Sequence, residues 1–301
     1  MATPIGNLGD ITLRAIDVLR RVDRIACEDT RTTRKLLNAH GIDTATSAYH
    51  DHSGERARAA LLREIKAGAA IALVSDAGTP LVSDPGFKLV REALAADISV
   101  TSLPGASAPT TALLLSGLPS DRFFFGGFLP PKTAARRKTL QALRNLDASL
   151  LFFETAPRLA ASLSDMAAVL GPRQAAVARE LTKLHEELRR DSLEALARHY
   201  DSAGPPKGEI VIVVAPADPA QEGAEAVDLD AQLVSALAQA SLRDAAATVA
   251  AASGLPRRQV YARALEISKR GEISKKGEIS KGALKTAGSA KGSDKDGEEP
   301  A

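Results

Sequence analysis

The sequence predicts an α/β protein built of two successive α/β domains and a small C-terminal helical appendage. Three observations carry that prediction. Apolar strand-like runs alternate with amphipathic helical stretches from residue 10 onward, as βαβ units around a parallel sheet require. Gly117-Leu118-Pro119 punctuates the alternation, and a second series of strands and helices begins after it. Beyond a polar, acidic stretch at 218–228, three short helical segments follow at close spacing.

In the first domain, 1–119, Asp10–Val22 reads as a helix and Arg24–Glu28 as a strand. Thr30–His40 is a helix stopped by Gly41, Ala45–Tyr49 a weak strand, and Glu55–Ala67 a helix. Ala70–Ser75 has the unbroken apolar run of a buried strand. Helix Phe87–Ala96, strand Ile98–Leu103 and helix Ser107–Ser116 complete the unit. The second domain, 120–217, opens with strand Arg122–Phe128, a Leu129-Pro130-Pro131 turn and a basic helix over Thr133–Asn145. Strand Ser149–Glu154, helix Pro157–Leu170 and strand Ala175–Glu180 follow. Leu184–Arg190 is expected to add an antiparallel strand, and Gly208–Ala215 a strong final one.

After the 218–228 linker, Leu229–Ala238, Leu242–Ala252 and Arg257–Ile267 are helical, within an appendage spanning 229–268. Ser241 can cap the second of them, with Asp244 three residues on, and Gly254-Leu255-Pro256 turns the chain into the third. That is helix-turn-helix spacing. The plain reading is a small bundle packed on its own chain or a dimer mate, with a nucleic-acid contact as the alternative. Glu266-Ile-Ser-Lys then recurs from Glu272 and Glu278. The polar 269–301 tail lacks the apolar surface that would offset its ordering entropy, which predicts disorder.

Composition narrows the function classes. The chain has 301 residues, enough for two domains, and 45% of them are hydrophobic. Aromatic residues are 3% and Trp is absent, so Ala, Leu, Val and Ile must build the core. A single cysteine, Cys27, excludes an internal disulfide and a multi-cysteine metal cluster. No run of 18 apolar residues and no charged-then-apolar leader ahead of the first motif point to the cytoplasm. A formal charge of +2 neither demands nor forbids a nucleic-acid partner.

The chemistry is expected at three Gly/Pro-rich turns, Ala2–Asp10, Ser75–Gly86 and Leu103–Ala108. They are expected at or near the carboxyl ends of the first domain's strands, where open α/β sheets bind ligands. One such turn is ordinary; three on one edge predict a cofactor cleft. Neither a G-x-G-x-x-G nor a Walker motif is present, so a phosphate-cradling site is not indicated.

Eight segments stand out: Ala2-Thr-Pro-Ile-Gly-Asn-Leu-Gly-Asp10, Cys27-Glu-Asp-Thr-Arg31, Ser75-Asp-Ala-Gly-Thr-Pro80, Ser83-Asp-Pro-Gly86, Leu103-Pro-Gly-Ala-Ser-Ala108, Phe152-Phe-Glu-Thr-Ala-Pro-Arg158, Ala178-Arg-Glu-Leu-Thr-Lys183 and Lys207-Gly-Glu209. Together they closely resemble the 16S rRNA (cytidine-2'-O)-methyltransferase I family, of the tetrapyrrole-methylase (class III methyltransferase) class. The resemblance runs in order from Ala2 to about Ala215, with a helical appendage also expected. It implies S-adenosylmethionine folded into a cleft between two α/β domains, methyl transfer to a ribose 2'-hydroxyl of a cytidine in the small-subunit RNA, and a homodimer. It also implies that Thr79, Val82, Ser107 and Ala108 contact the methionine part of the cofactor. Glu154 and Leu181 then line the adenosine side, and Pro4 lies in the first turn. Members of the family carry a β-strand ahead of the Ala2 motif, whereas this sequence begins at Met1; a longer natural chain is the expectation.

A ribose hydroxyl is a poor nucleophile, so a base, or a cation beside the forming alkoxide, should assist it. Near the strand ends Glu28, Asp29, Arg31, His50 and His52 are candidates, with Lys183 and Glu186 facing them from the second domain. Asp29, Arg31, His52 and Lys183 are preferred as catalytic. Asp29 with Arg31 can equally be an ion pair at a helix start. His50-Asp51-His52 offers too few ligands for a metal, and none is expected. Lys132, Arg136, Arg137, Lys138 and Arg144 form a run of cations free of acidic residues, suited to an RNA backbone, and Arg158 is a further RNA-facing candidate. Two rival functions stand beside this one. A small-molecule, precorrin-like methyltransferase predicts a closed apolar cleft; a non-catalytic nucleic-acid-binding regulator predicts binding without turnover.

Overall fold

In the first half of the chain, short apolar runs become three parallel strands, β1 (Arg24–Cys27), β2 (Thr46–Ala48) and β3 (Ile71–Val74), in the order β2-β1-β3. The computed structural model describes residues 1–50, 54–217, 229–253, 255 and 257–269. His52, the 218–228 linker and the tail from residue 270 lie outside them. Side chains alternate across β1. Ile25 and Cys27 join a cluster with α1 (Leu13–Arg21) and α2 (Thr30–Ala39) on one face. Ala26 meets Leu61 of α3 (Gly54–Lys66) and Leu89 of α4 (Phe87–Ala95) on the other. Burial on both faces is what an all-parallel sheet requires. Thr12 caps α1 through a hydrogen bond from the Ala15 N–H.

The predicted strand at Ile98–Leu103 does not form a ladder. Val100 is 44% exposed and only Leu103 enters the core. The Met1 ammonium donates to the Leu73 carbonyl and the Ala2 N–H to the Leu103 carbonyl. Residues 98–103 thus run beside the first turn without an adjacent strand, and an apolar segment with no neighbour to share N–H and C=O groups stays irregular.

The second sheet is mixed. Its strands β4 (Phe123–Phe128), β5 (Ser149–Thr155), β6 (Gln174–Arg179), β7 (Glu187–Ser192) and β8 (Glu209–Val214) are ordered β4-β5-β8-β6-β7. β4 and β5 are parallel, and β8 is antiparallel to both β5 and β6. β5 and β8 are apolar on both faces because both are covered. Leu150, Phe152 and Ile212 pack with α6 (Thr133–Leu143), α7 (Leu159–Leu170) and α8 (Leu193–Ala203). Leu151, Val211 and Val213 pack with Ala112 and Leu113 of α5 (Ala108–Ser116). A helix from the first half therefore covers the second sheet, and Met1–Ala217 forms one compact unit with a continuous core. Helix α8 was not foreseen; Ser192 caps it and Leu193, Leu196 and Tyr200 carry its buried stripe.

The described residues from 229 on belong to a separate unit. Its helices are α9 (229–237), α10 (Leu242–Ser253) and α11 (257–269). Leu233, Ala246, Val249, Val260 and Ala264 make its own small core. Arg263 of α11 clamps both carboxylate oxygens of Asp230 on α9, at 2.8 and 2.6 Å. The Ser241 hydroxyl accepts from the Asp244 N–H as the predicted cap. Among the described residues, no helix is long and apolar enough to cross a membrane.

Candidate functional site

The carboxyl ends of the parallel strands and the glycine-rich turns enclose a cavity of about 590 Å³ within the Met1–Ala217 unit. Small-molecule sites commonly fall in the range of about 300–1,000 Å³. The wall from the first half is Ile5, Glu28, the 76–79 and 82–84 turns, and Ser107–Pro109 at the start of α5. The opposite wall is Phe128, Phe153–Pro157, Ala178, Leu181 and 208–211, from the ends of β4, β5, β6 and the start of β8. The walls differ in chemistry. The second sheet supplies mostly apolar surface, whereas Glu28, Asp76 and Asp84 make the first wall acidic. Among the described residues every charged group lining the cavity is a carboxylate, since Glu154 and Glu209 complete the set.

Backbone geometry supports the site. Among the described residues, five other than glycine have left-handed φ, and four of them flank the cavity: Leu81 (72°), Ser83 (63°), Glu180 (52°) and Thr182 (65°). Such conformations cost about 1–3 kcal/mol each and persist only where surrounding structure enforces them. Here the enforcement is visible. The Thr3 N–H and C=O pair with Gly78, the Thr79 hydroxyl donates to the Ala106 carbonyl, and Gly6 sits so close to the 181–183 turn that a Cβ would lie 2.9 Å from the Leu181 oxygen.

Thr79, Val82, Ser107, Ala108, Glu154 and Leu181 all line this one cavity, although they come from four distant segments. Pro4 does not; it is buried under the first turn, and its neighbour Ile5 reaches the cavity instead. The Glu154 carboxyl is 1% exposed, accepting from the Ser162 hydroxyl and the Thr155 N–H with Arg158 at 3.3 Å. Sequence reasoning missed Asp76, Asp84, Phe128, Phe153 and the 208–211 edge. The two aspartates stand inside the quoted turns, so the signal was present; the phenylalanines read as ordinary strand residues.

The preferred catalytic residues fare differently. Asp29 caps α2, accepting from the Arg31 N–H at 2.8 Å, and its other oxygen pairs with the Arg31 guanidinium at 2.7 Å. Those bonds hold its carboxyl down at about 2, a poor proton acceptor. Arg31 is 88% exposed in that pair, and neither residue lines the cavity. The ion-pair reading of Asp29 and Arg31 is the one the geometry gives. Lys183 also lies outside the lining, clasped by Glu180 (2.7 Å) and Glu209 (2.9 Å). Partial burial opposes its charge, but the two carboxylates outweigh that and raise the ammonium above its ordinary value. A base it is not. Glu186 caps the Thr182 N–H, and His50 is exposed away from the cavity lining. No group of three His, Cys, Asp or Glu among the described residues could hold a metal.

The basic run also divides. Arg136 is no phosphate ligand: its side chain is 4% exposed and donates to Asp165 of α7 at 2.7 Å and to the Pro131 carbonyl. Arg137 reaches the other Asp165 oxygen but remains 53% exposed. Arg158 is turned inward, donating to the Leu129 carbonyl beside Glu154. Lys132, Arg137 and Lys138 stay on the surface of α6 and the turn before it.

Comparison with known proteins agrees with this geometry. Residues 2–197 match the model of the Tetrapyrrole (Corrin/Porphyrin) Methylases, and 223–268 match the RsmI C-terminal HTH domain. The chain is 54% identical over 267 residues to Ribosomal RNA small subunit methyltransferase I of Erythrobacter litoralis, covering 89% of this chain and 94% of that one. Identity to the protein of the same name from Mesorhizobium japonicum is 49%, over 89% and 90% of the two chains. Diphthine synthase shares the fold at a TM-score of 0.56 and 18% identity, over 71% of this chain and 88% of that one. Uroporphyrin-III-C-methyltransferase from Thermus thermophilus does so at 0.51 and 18%, over 70% and 91%. The chain belongs to the tetrapyrrole methylase family and, within it, to the ribosomal RNA small subunit methyltransferase I group.

Proposed function

We propose that this protein transfers a methyl group from S-adenosylmethionine to the ribose 2'-hydroxyl of a cytidine in 16S ribosomal RNA, in the cytoplasm and as a homodimer. The observation that carries the reading is the two-sided cavity. Its apolar wall suits a flat adenine, and its carboxylates complement a cofactor that bears a sulfonium and an ammonium. When bound, that cofactor supplies an electrophilic methyl group, with no metal and no covalent enzyme intermediate required. The protein's share is alignment, worth several kcal/mol, and exclusion of water. Thr79, Val82, Ser107 and Ala108 hold the methionine part in this reading. Glu154 and Leu181 hold the adenosine part. Leu181 is fixed between the left-handed Glu180 and Thr182, so its wall is pre-shaped. The relatives' shared name supports ribosomal RNA as the acceptor.

Purified protein with methyl-labelled S-adenosylmethionine and small ribosomal subunits from a strain lacking the enzyme tests the assignment. Label recovered as alkali-resistant 2'-O-methylcytidine is the expected result. Folded, cofactor-bound protein that leaves the RNA unlabelled would move the assignment to a small-molecule acceptor.

Lys132, Arg137 and Lys138 are the cations proposed to meet RNA phosphates. Replacing all three by alanine is expected to weaken RNA binding uniformly across sequences. The slope of log affinity against log salt should fall by about two, near 0.7 per phosphate contact on single strands. Unchanged salt dependence would remove α6 from the interface.

A further inference from the structure

Five carboxylates line the cavity among the described residues, and Glu28, Asp76, Glu154 and Glu209 each have an interaction of their own. Glu154 is occupied by Ser162 and the Thr155 N–H, Glu209 by Lys183, and Asp76 by the Asp29 N–H at 2.9 Å. Asp84 stands on the same turn as Thr79 and Val82, between the left-handed Ser83 and Gly86 (φ 128°), with buried Pro85 beside it. At Gly86 a Cβ would lie 2.6 Å from the Leu73 side chain, so this stretch of backbone is pressed onto β3 and cannot shift easily. Burial pushes the Asp84 carboxyl up to about 6, a hydrogen bond with Ser75 opposes this, and the charges of Glu28 and Asp76 add to it. Those two, at the ends of β1 and β3, are the charged groups acting on it, and among the described residues no cation lines the cavity.

Resting on the reading of this cavity as a methyl-transfer site, we propose that Asp84 accepts the proton released by the acceptor hydroxyl. The balance closes. The O–H bond breaks and the oxygen forms its bond to the methyl carbon; the methyl–sulfur pair goes to sulfur; the proton goes to the carboxylate, which later returns it to solvent. Among the described residues the lining offers no cationic side chain to stabilise an alkoxide, which favours a base in that role. A carboxylate raised to about 6 remains ionised at neutral pH yet is more basic than an ordinary one.

Asp84→Asn, nearly isosteric, tests this with three readouts. Single-turnover methyl transfer should fall about 100- to 1,000-fold, and the rise in rate through pH 6 expected of the parent should vanish. Affinity for S-adenosylmethionine and for S-adenosylhomocysteine, by calorimetry, should stay within about threefold of the parent. Because the folded-state value is raised, ionised Asp84 destabilises the fold increasingly from its ordinary 3.8 upward through 6. The variant should therefore melt a few degrees higher than the parent at pH 7.5 and level with it near pH 4. Near-parental transfer with an unchanged pH profile overturns the proposal, as does equal melting at both pH values. Selective loss of S-adenosylmethionine affinity, with S-adenosylhomocysteine binding kept, would make Asp84 a sulfonium counter-ion instead. A parent protein that binds cofactor but labels no RNA sinks the acceptor reading separately.

Discussion

Asp165→Ala is expected to lower the unfolding free energy by about 3–5 kcal/mol, one of the largest effects open to a single side chain in this protein. Asp165 is 5% exposed on α7 and receives both Arg136, 4% exposed, and Arg137. Removing the carboxylate leaves the Arg136 guanidinium buried with, among the described residues, the Pro131 carbonyl and a 3.5 Å contact to Thr133. A buried charge without its partner costs far more than the pair contributes, because its desolvation is no longer offset. Urea unfolding should give a lower midpoint with an unchanged slope. Arg136→Met combined with Asp165→Leu should recover most of the loss by removing both charges together. A single-mutant loss under about 1 kcal/mol would mean that water reaches the α6–α7 seam and solvates the arginine.

Ala108→Phe is expected to cut affinity for S-adenosylmethionine at least 100-fold, about 2.7 kcal/mol, while leaving the fold intact. Ala108 opens α5 and lines the cavity, only partly buried, so an added ring enters space meant for a ligand rather than the packed core. Overpacking penalties apply where no room exists; here about 590 Å³ is open. Calorimetry of the purified variant, with its melting temperature as a control, is the measurement. Parental affinity in a stably folded variant would place the cofactor elsewhere.

Much of this was legible in the sequence. The apolar runs at 24–27, 71–74, 149–155 and 209–214 are strands because they are buried on both faces, which a run of Ile, Val and Leu announces. The glycine turns were legible because only certain backbones can reverse there. Strand order was not: nothing local in Glu209–Val214 says that it inserts between β5 and β6. Ile98–Leu103 had strand composition but no neighbour, and pairing is a property of two segments. Arg136 read as a surface cation beside Arg137 and Lys138. Yet it shares a helical face with Leu140 and Leu143, four and seven residues on, and its partner lies 29 residues away. Asp29 was ambiguous for the opposite reason, since a cap and a catalytic carboxylate look alike until the bond to the Arg31 N–H is seen.

The position of β8 has a consequence for how the protein is made. A strand synthesised after β7 completes the middle of its sheet, so β5 and β6 each hold an unsatisfied edge while the ribosome adds the residues between them and Val214. Translation therefore passes through an interval in which two apolar strand edges are exposed, and slow elongation there lengthens the window for misassembly. Residues 208–211 also line the cavity, so the nascent chain has no complete ligand site until that strand slots into place.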